Sequence, residues 1–211
     1  MKWRLIEVQQ ETDHPYLNYF TLHYQVEKDG ESKEVFYRIC SRHSKSSLQC
    51  FANTKELSAD GVLIPIYRIE EDRSISLLFT SQFRPSFNRR LTSFCAGLVA
   101  QDDPDLFFTA VREAKEECGY QVTDLELLSK PGPTSSGLSD ETTAIILARA
   151  IKKEETHLEE VEDIETFFVP LSKADEILDD PERTVPVNVR MIVKYLQQYW
   201  KGNKIHETRI D

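Results

Sequence analysis

Three glutamates occupy five consecutive positions of the stretch REAKEECGY, residues 112–120. Glu113, Glu116 and Glu117 are related by the spacings i, i+3 and i+4, so on a helix they share one face. Like charges at these spacings repel one another by about 0.2–0.5 kcal/mol per pair. Carboxylate oxygens are the ligands that Mg²⁺ and Mn²⁺ prefer, together with water and substrate phosphate. The glutamates therefore indicate a divalent-metal site, and the alternative is an acidic helix face in contact with solvent.

The glutamates can share a face only on a helix, and the surrounding sequence predicts one over residues 104–118. Asp103 can cap it, Pro104 suits its first turn, and Gly119 suits the left-handed position that ends a helix. Apolar residues at helical spacing predict its buried stripe. These are Phe107, Ala110, Val111, Ala114 and Cys118. The carboxylates adjoin this stripe, so we expect them at the edge of the core.

Strand patterns dominate the rest of the chain. The stretch YFTLHYQVEKDGESKEVFYRIC alternates apolar and polar residues around Asp29-Gly30, which is typical of a β-hairpin. Two apolar runs, GVLIPIYRI and SISLLFTSQFR, flank the polar sequence EEDR and predict a second pair of strands. The stretch NVRMIVKYLQQYWKG is amphipathic and predicts a closing helix. This order of elements predicts an α+β protein with helices outside a mixed sheet.

Composition restricts the expected partners. The formal charge of −10 argues against nucleic-acid binding, which needs clustered Lys and Arg. It permits a small phosphorylated ligand, because a divalent metal can lie between two negative groups. The apolar runs are too short to cross a bilayer and the first residues do not resemble a secretory signal. We therefore expect a cytoplasmic protein without membrane contact, whose four unpaired cysteines are reduced, buried thiols.

The stretch GLVAQDDPDLFFTAVREAKEECGY resembles the Nudix box. The usual form of that box is Gly, five residues, Glu, seven residues, then Arg-Glu-apolar-x-Glu-Glu-x-Gly-apolar. The second half matches at every fixed position from Arg112 to Tyr120. The resemblance implies a Nudix-type α/β/α sandwich with a mixed sheet, preceded by an N-terminal antiparallel β region. We expect residues 1–58 to form that region and residues 59–211 to form the Nudix hydrolase domain.

The resemblance also implies roles for the residues of the box. The side chains of Glu113, Glu116 and Glu117 would bind Mg²⁺ or Mn²⁺ together with the main-chain carbonyl of Ala96. Glu117 would thus be both a metal ligand and a catalytic residue. Arg112, also counted as catalytic, would hold the carboxylates in place by charge-assisted hydrogen bonds.

The first half of the box departs from the usual pattern. Gly97, a candidate substrate-binding residue, lies 15 residues before Arg112 where the usual distance is 14. The loop glutamate is absent: Asp103 keeps the spacing from Gly97, and Pro104 keeps the spacing from Arg112. The sequence therefore leaves open whether any residue takes the role of the loop acid.

Three further stretches resemble the ADP-ribose and nucleotide-sugar pyrophosphatase branch of the family. In SQFRP, Arg84 would contact the phosphate side of the substrate; the alternative is a surface charge. In KPGPTSSGLSDE, Ser139 and Glu141 would bind substrate; the alternative is an ordinary hairpin loop. In LEEVEDIETFFVP, Glu160 would be the general base, with Glu162 as the near alternative. The last stretch is equally compatible with a solvated acidic segment.

Two regions outside the box bear on the comparison with this branch: the five residues before the box and the N-terminal sheet. The branch usually reads Glu-Leu-Pro-Ala-Gly before the box, where this chain has SFCAG at residues 93–97. Its N-terminal sheet commonly exchanges across a dimer and stacks the base on an aromatic ring, so we expect a homodimer. The possible stacking residues are Trp3, Tyr19, Phe20 and Phe36, although core packing is the expected environment of each.

The function implied by the resemblance is metal-dependent hydrolysis of a diphosphate bond. The substrate would be a nucleoside diphosphate linked to another moiety, ADP-ribose or a nucleotide sugar above all. The alternative is a Nudix-like sensor that binds a nucleotide sugar without cleaving it. Such sensors commonly lack carboxylates of the box, whereas this chain has all three.

Overall fold

The computed structural model of the protein describes residues 1–52, 56–158 and 163–202. The chain forms two compact units. The first consists of Met1–Asp60 and Lys130–Thr143, and the second contains Gly61–Ser129 and the chain from Ala144 onward. The predicted division of the chain between residues 58 and 59 stays a prediction.

The first unit contains a three-stranded antiparallel sheet in the order β1-β2-β3. The strands are β1 (Lys2–Gln10), β2 (Asn18–Lys28) and β3 (Glu31–Ser41). Asp29 and Gly30 both have positive φ, at 53° and 85°, as a two-residue hairpin turn requires. The predicted hairpin is therefore confirmed. One face of the sheet is buried by apolar side chains of Val8, Phe20, Leu22, Ile39 and Leu48.

The four aromatic residues predicted to pack in the N-terminal core divide into two groups. Phe20 is fully buried, as expected. Trp3, Tyr19 and Phe36 are 54%, 42% and 52% exposed, so core packing was the wrong prediction for them. The reason is that a single small sheet buries only one face, and the ring of Phe36 instead stacks on the imidazole of His23 at 4.5 Å between ring centres.

The second unit is built on a mixed sheet, which has eight strands among the described residues. These are β4 (Gly61–Ile64), β5 (Ile66–Ile69), β6 (Ile75–Arg84), β7 (Arg89–Ser93), β8 (Cys95–Leu98), β9 (Tyr120–Pro133), β10 (Thr142–Lys153) and β11 (Ile164–Pro170). The main order is β11-β6-β5-β10-β4-β8, with β7 paired to β6 and β9 paired to β10. The pair β5–β10 is parallel, whereas β6 is antiparallel to β5, β7 and β11.

Three α-helices in the described part of the chain pack on this sheet: α1 (Leu106–Glu116), α2 (Ala174–Asp179) and α3 (Val187–Gly202). The predicted apolar side of α3 is buried at Val189, Val193 and Leu196, where it meets the strand residues Leu77 and Phe79. α1 packs against β4 and β8. The predicted α+β class, with its mixed sheet and N-terminal antiparallel region, is confirmed. None of the described helices is long and apolar enough to cross a bilayer.

The predicted helix 104–118 differs from α1 at its start. The helix begins at Leu106, and its cap is Asp105, whose Oδ1 accepts from the backbone N–H of Phe108 at 2.8 Å. Asp103 was therefore the wrong cap; its carboxylate is instead bound to Arg112, as shown below. Gly119 has φ of 69° and donates its N–H to the Lys115 carbonyl, which confirms its predicted role at the helix end.

The predicted buried stripe of α1 was partly wrong. Ala110, Ala114 and Cys118 are fully buried, but Phe107 and Val111 are 41% and 39% exposed. Thr109 and Glu113 are buried instead. The hydroxyl of Thr109 donates to Asp103, and the Glu113 side chain lies against Gly97 of β8. The four cysteines are free thiols, as expected, although only Cys95 and Cys118 are buried.

Candidate active site

Glu113 lies directly against the main chain of β8. A Cβ atom added to Gly97 would fall 1.9 Å from Cδ of Glu113, far inside any allowed contact. Gly97 thus leaves the space that the Glu113 carboxylate occupies. The side chain of Glu113 is only 12% exposed, so this carboxylate lies at the edge of the core, where the sequence predicted the cluster.

Arg112 ties the helix carboxylates to the preceding loop. Its Nη1 donates to Glu113 Oε1 at 2.8 Å and to Glu116 Oε2 at 3.0 Å. Its Nη2 and Nε donate to the two carboxylate oxygens of Asp103, at 2.9 Å and 3.2 Å, and Nη2 also reaches the Leu98 carbonyl at 3.0 Å. The guanidinium therefore binds three carboxylates and the carbonyl of the last residue of β8 at once.

Asp103 is the loop carboxylate that binds Arg112. Its side chain is 2% exposed and also accepts from Thr109 Oγ1 at 2.8 Å and from the Ala100 N–H at 3.0 Å. The hydrogen bonds from Arg112 hold the pKa of the Asp103 carboxyl well below its usual range. The same pairing raises the pKa of Arg112 further above its ordinary value, in opposition to desolvation. The sequence signal that could have indicated this position is the five-residue spacing from Gly97, whereas the place of Asp103 before Pro104 predicted a helix cap.

Glu117 faces β8 from the end of α1. Its Oε2 accepts from the backbone N–H of Ala96 at 3.4 Å and from the thiol of Cys95 at 3.5 Å. A hydrogen bond with Cys118, burial and the charge of Glu117 together keep the Cys95 thiol protonated by raising its pKa. Cys95 is therefore a neutral partner of the carboxylate, which fits a buried site beside a negative group.

The side chains at the end of α1 fit a divalent cation by their chemistry. Three carboxylates and the Ala96 carbonyl supply only oxygen ligands, as Mg²⁺ and Mn²⁺ prefer. Among the described residues, however, no three acidic, His or Cys side chains are gathered closely enough to hold a metal ion. Glu113 and Glu116 each direct an oxygen to Arg112, and Glu117 directs one to Ala96.

A cavity of about 130 Å³ opens beside Glu117 within the second unit. Its polar lining consists of Thr80, Gln82, Arg84, Ser93 and Glu117, and Ala96 also lines it. Thr80, Gln82 and Arg84 alternate along β6, so they share one face of the strand. The cavity therefore brings together three residues that the sequence predicted from separate motifs: Arg84, Ala96 and Glu117.

The cavity also contains residues that the sequence reasoning did not select. Gln82 could have been found from its position two residues before Arg84 on the same strand. Ser93 drew notice only as a departure from the usual glutamate, and it lies opposite Thr80 in the β6–β7 pair. Pro186 forms part of the apolar side, and no local pattern pointed to it.

Ser139 and Glu141 lie in the first unit, on the loop that follows β9. This loop is fixed to β3 by the N–H of Cys40, which donates to the Leu138 carbonyl at 2.9 Å. The carboxylate of Glu141 lies 3.6 Å from Nε of Arg42. The structure thus gives these two residues a defined position beside the end of β3 in their own unit. Their role in substrate binding stays a prediction.

Glu160 and Glu162 lie outside the described residues. The segment before them is tied to the end of α1: the Glu154 N–H donates to the Gly119 carbonyl at 2.7 Å, and the His157 N–H donates to the Glu116 carbonyl at 2.9 Å. A Cβ on Gly119 would lie 2.7 Å from the Glu154 carbonyl oxygen, so only glycine permits this approach. The chain therefore reaches residue 157 beside the glutamate helix.

Comparison with known proteins gives one family. A NUDIX domain model matches residues 57–190, more than half of the chain. An ADP-ribose pyrophosphatase of Mycobacterium tuberculosis (strain ATCC 25618 / H37Rv) is 32% identical over 126 residues, which are 57% of this chain and 58% of that protein. A methanol dehydrogenase activator of Bacillus methanolicus is 27% identical over 124 residues, 57% of this chain and 65% of that protein. The match thus spans less than two thirds of either relative's length.

A solved structure supports the same fold over nearly the whole chain. The crystal structure of an ADP compounds hydrolase superposes with a TM-score of 0.70 at 16% sequence identity, and the match covers 96% of each chain. At this identity the likeness concerns the fold alone. With the domain match and the box residues assembled on α1 and β8, the chain belongs to the Nudix family, the hydrolase family that its sequence resembles.

Proposed function

We propose that this protein is a metal-dependent pyrophosphatase that hydrolyses the diphosphate bond of a nucleoside diphosphate linked to another moiety. The observation that carries the proposal is the cavity that joins Arg84, the candidate phosphate-binding side chain, to Glu117 and Ala96, two candidate metal ligands. A cation on one side and a metal site on the other are what hydrolysis of a doubly charged diphosphate needs.

ADP-ribose and nucleotide sugars are the substrates that we propose. The relative at 32% identity carries the name ADP-ribose pyrophosphatase, and the motif around Arg84 resembles that branch. Hydrolysis of ADP-ribose would give AMP and ribose 5-phosphate. We also propose that Ser139, Glu141 and Gly97 contribute to substrate binding and that the protein forms a homodimer through its N-terminal sheet.

The metal would be Mg²⁺ or Mn²⁺, held by Glu113, Glu116, Glu117 and the Ala96 carbonyl. Such a metal supplies charge neutralisation at the phosphoryl oxygens and lowers the pKa of a bound water. Arg112 holds the carboxylates beside one another, and its four hydrogen-bonding partners limit where they can turn. The positive charge of Arg112 thereby offsets part of the repulsion between Glu113 and Glu116.

The other side chains would orient the substrate and move a proton. Arg84 binds the phosphate oxygens from β6, at the cavity that Glu117 also lines. Glu160 or Glu162 accepts a proton from the attacking water. Both lie in the acidic segment that follows the tie between His157 and the Glu116 carbonyl.

A substrate screen tests the proposal directly. Purified protein is incubated with ADP-ribose, UDP-glucose and dinucleoside diphosphates, each with Mg²⁺ or Mn²⁺, and the mononucleotide products are separated by chromatography. We expect metal-dependent turnover of at least one of these substrates and no turnover after chelation. Failure of all substrates with both metals would reject the hydrolase.

One observation favours a second candidate, a sensor that binds a nucleotide sugar without cleaving it. Arg112 binds oxygens of both Glu113 and Glu116, and the described residues contain no preassembled metal cluster. A sensor would bind ADP-ribose or UDP-glucose in calorimetry and return them intact at every metal concentration.

A further inference from the structure

The hairpin of β6 and β7 forms one wall of the cavity, and its register determines which side chains share a face. The directly opposed pairs are Thr80 with Ser93, Gln82 with Leu91, and Arg84 with Arg89. Five of these six residues line the cavity, and the exception is Arg89. Because side chains of opposed residues lie on the same side of a sheet, Arg89 belongs to the face that carries Arg84.

This face runs from the core to solvent. Thr80 is 4% exposed, Gln82 is half-buried, and Arg84 and Arg89 are exposed. Arg84 therefore lines the outer end of the cavity, whereas Thr80 and Ser93 lie deeper. Arg89 follows on the same face, just beyond the lining, and its Nε donates to the Phe87 carbonyl at 3.4 Å. The hairpin thus carries small hydroxyl side chains at its deep end, where Thr80 Oγ1 donates to the Phe94 carbonyl at 3.3 Å, and two positive charges at its outer end.

The turn of the hairpin holds the two arginines opposite each other. The Phe87 N–H donates to the Arg84 carbonyl at 3.0 Å, and the Asn88 N–H donates to the Pro85 carbonyl at 3.1 Å. Asn88 has φ of 51°, a conformation that asparagine tolerates well. Like charges directly opposite each other destabilise a sheet, so this pair is unfavourable without an anion between or beside them.

Among the described residues, Arg90, the next residue along β7, has acidic partners, unlike Arg84 and Arg89. Arg90 points to the other face of β7, where it donates to the Ser81 carbonyl at 2.6 Å and to Asp163 at 2.5 Å. It also lies 3.6 Å from Glu165. Within residues 1–52, 56–158 and 163–202, no carboxylate lies at ion-pair distance from Arg84 or Arg89. In a chain of charge −10, these two cations have no acidic partner in the described part.

The size of the cavity indicates what the pair binds. Its volume of about 130 Å³ is well below the ~300–1,000 Å³ of sites that enclose a whole ligand, so part of a nucleotide substrate must lie outside it. Guanidinium groups bind phosphate through paired hydrogen bonds. We propose that Arg89 is a substrate-binding residue that forms, with Arg84, a two-arginine clamp on the diphosphate at the cavity mouth. The inference rests on the proposed function, because it takes a nucleoside diphosphate as the ligand.

Calorimetric titration with α,β-methylene-ADP and Mg²⁺ tests the clamp. This analogue has a non-hydrolysable bridge between its phosphates, so binding is measured whether or not the protein is an enzyme. Arg89→Ala should weaken binding about tenfold or more, since it removes a charge-assisted contact. Arg90→Ala is the matched control, with the same change of charge one residue away, and should alter the Kd less than about twofold. Equal affinities of the parent and Arg89→Ala, or no binding by the parent, would overturn the clamp.

Two further measurements separate binding from folding and from catalysis. In the ligand-free state Arg89→Ala should unfold at the same temperature as the parent or above it, because repulsion from Arg84 is removed; a lower Tm would indicate a structural role instead. With a cleaved substrate, Arg89→Ala should raise KM and leave kcat nearly unchanged, as expected for uniform binding. If the parent binds the analogue and Arg89→Ala weakens this binding, but no substrate is hydrolysed, the clamp is retained and the hydrolase is rejected. If substrates are hydrolysed but Arg89→Ala binds the analogue as tightly as the parent, the hydrolase is retained and the clamp is rejected.

Discussion

Arg112 divides its donors between two carboxylates on its own helix and one in the preceding loop. At the scale of single residues, this arrangement explains how three glutamates can share one helix face. The positive charge offsets part of their repulsion, and Asp103 in turn fixes the guanidinium by accepting from its Nε and Nη2. The site therefore depends on an aspartate that belongs to the loop rather than to the glutamate cluster.

Asp103→Asn should destabilise the protein in a pH-dependent way. The exchange removes the charge that pairs with Arg112 and should cost about 1–3 kcal/mol of unfolding free energy at neutral pH. Because Arg112 lowers the pKa of Asp103, the stability from this pair is complete above the ordinary carboxyl pKa and is lost as pH falls toward the lower folded value. The Tm difference between parent and variant should therefore narrow between about pH 5 and about pH 3.

The matched control for this prediction is Asp105→Asn, two residues away. Asparagine caps helices as well as aspartate does, so the cap on Phe108 is retained and little stability should be lost at any pH. If both variants show the same Tm profile by thermal unfolding, Asp103 does not have the role assigned to it.

Glu117→Gln should abolish most of the hydrolysis without unfolding the protein. The amide keeps the size of the side chain but removes the charge beside Ala96 and the cavity. We expect kcat to fall about a hundredfold or more, since even groups that only support a metal ligand cost about 10–100-fold when removed. Glu176→Gln, an exposed glutamate on α2, is the control with the same chemical change. Comparable turnover of the two variants with saturating Mg²⁺ would exclude Glu117 as a ligand.

At the scale of elements, two glycines hold α1 in place, and each prevents a different clash. At Gly97 a side chain would meet the end of Glu113, which is flexible and can turn away. At Gly119 it would meet the carbonyl oxygen of Glu154, which is main chain, and φ there is positive. The first glycine therefore protects the position of a carboxylate, and the second protects the packing of the helix end.

Alanine at these two positions should fail in different ways. Gly97→Ala should keep a Tm close to that of the parent but bind Mn²⁺ about tenfold or more weakly, because Glu113 is displaced. Gly119→Ala should lower the unfolding free energy by about 1 kcal/mol or more, because alanine is strained at positive φ and the neighbouring backbone must move. Electron paramagnetic resonance of Mn²⁺ and thermal unfolding measure the two effects. Gly137→Ala, which meets no atom within 4 Å, is the control for both, and the reverse pattern would contradict this account.

The sequence predicted α1 and its end because those signals are local. The carboxylate spacing, the apolar residues and Gly119 act within a few turns of one helix. Its start could not be predicted, because Asp103 and Asp105 are equally good caps and only the contact with Arg112, nine residues on, decides between them. The exposure of Phe107 and Val111 likewise depends on how α1 is rotated against β4 and β8, which its own periodicity does not determine.

At the scale of the whole molecule, the cavity depends on a strand order that differs from the order along the chain. β6 lies between β5 and β11, and it also pairs with β7, so residues near 80, 91, 164 and 186 meet around one space. The box and the Arg84 motif could each be found in the sequence, because each is a short pattern. Their neighbours Thr80, Ser93 and Pro186 could not, because only the register of long-range pairs brings them together.

Because the protein carries a net charge of −10, a divalent metal can stabilise it either by binding at the end of α1 or by screening the overall charge. The two effects can be separated by thermal unfolding. Mg²⁺ or Mn²⁺ that binds only the folded chain stabilises it by about 2.7 kcal/mol at 100 times its Kd. For a domain of this size we therefore expect Tm to rise by about 5–10 °C and to return to its starting value with a chelator. Metal ions also screen the repulsion among the many surface carboxylates, and NaCl at equal ionic strength measures that contribution separately. The parent should gain far more from Mg²⁺ than from NaCl, and Glu117→Gln should respond to both alike. An equal rise for parent and variant would mean that the ion acts on the overall charge and not at the end of α1.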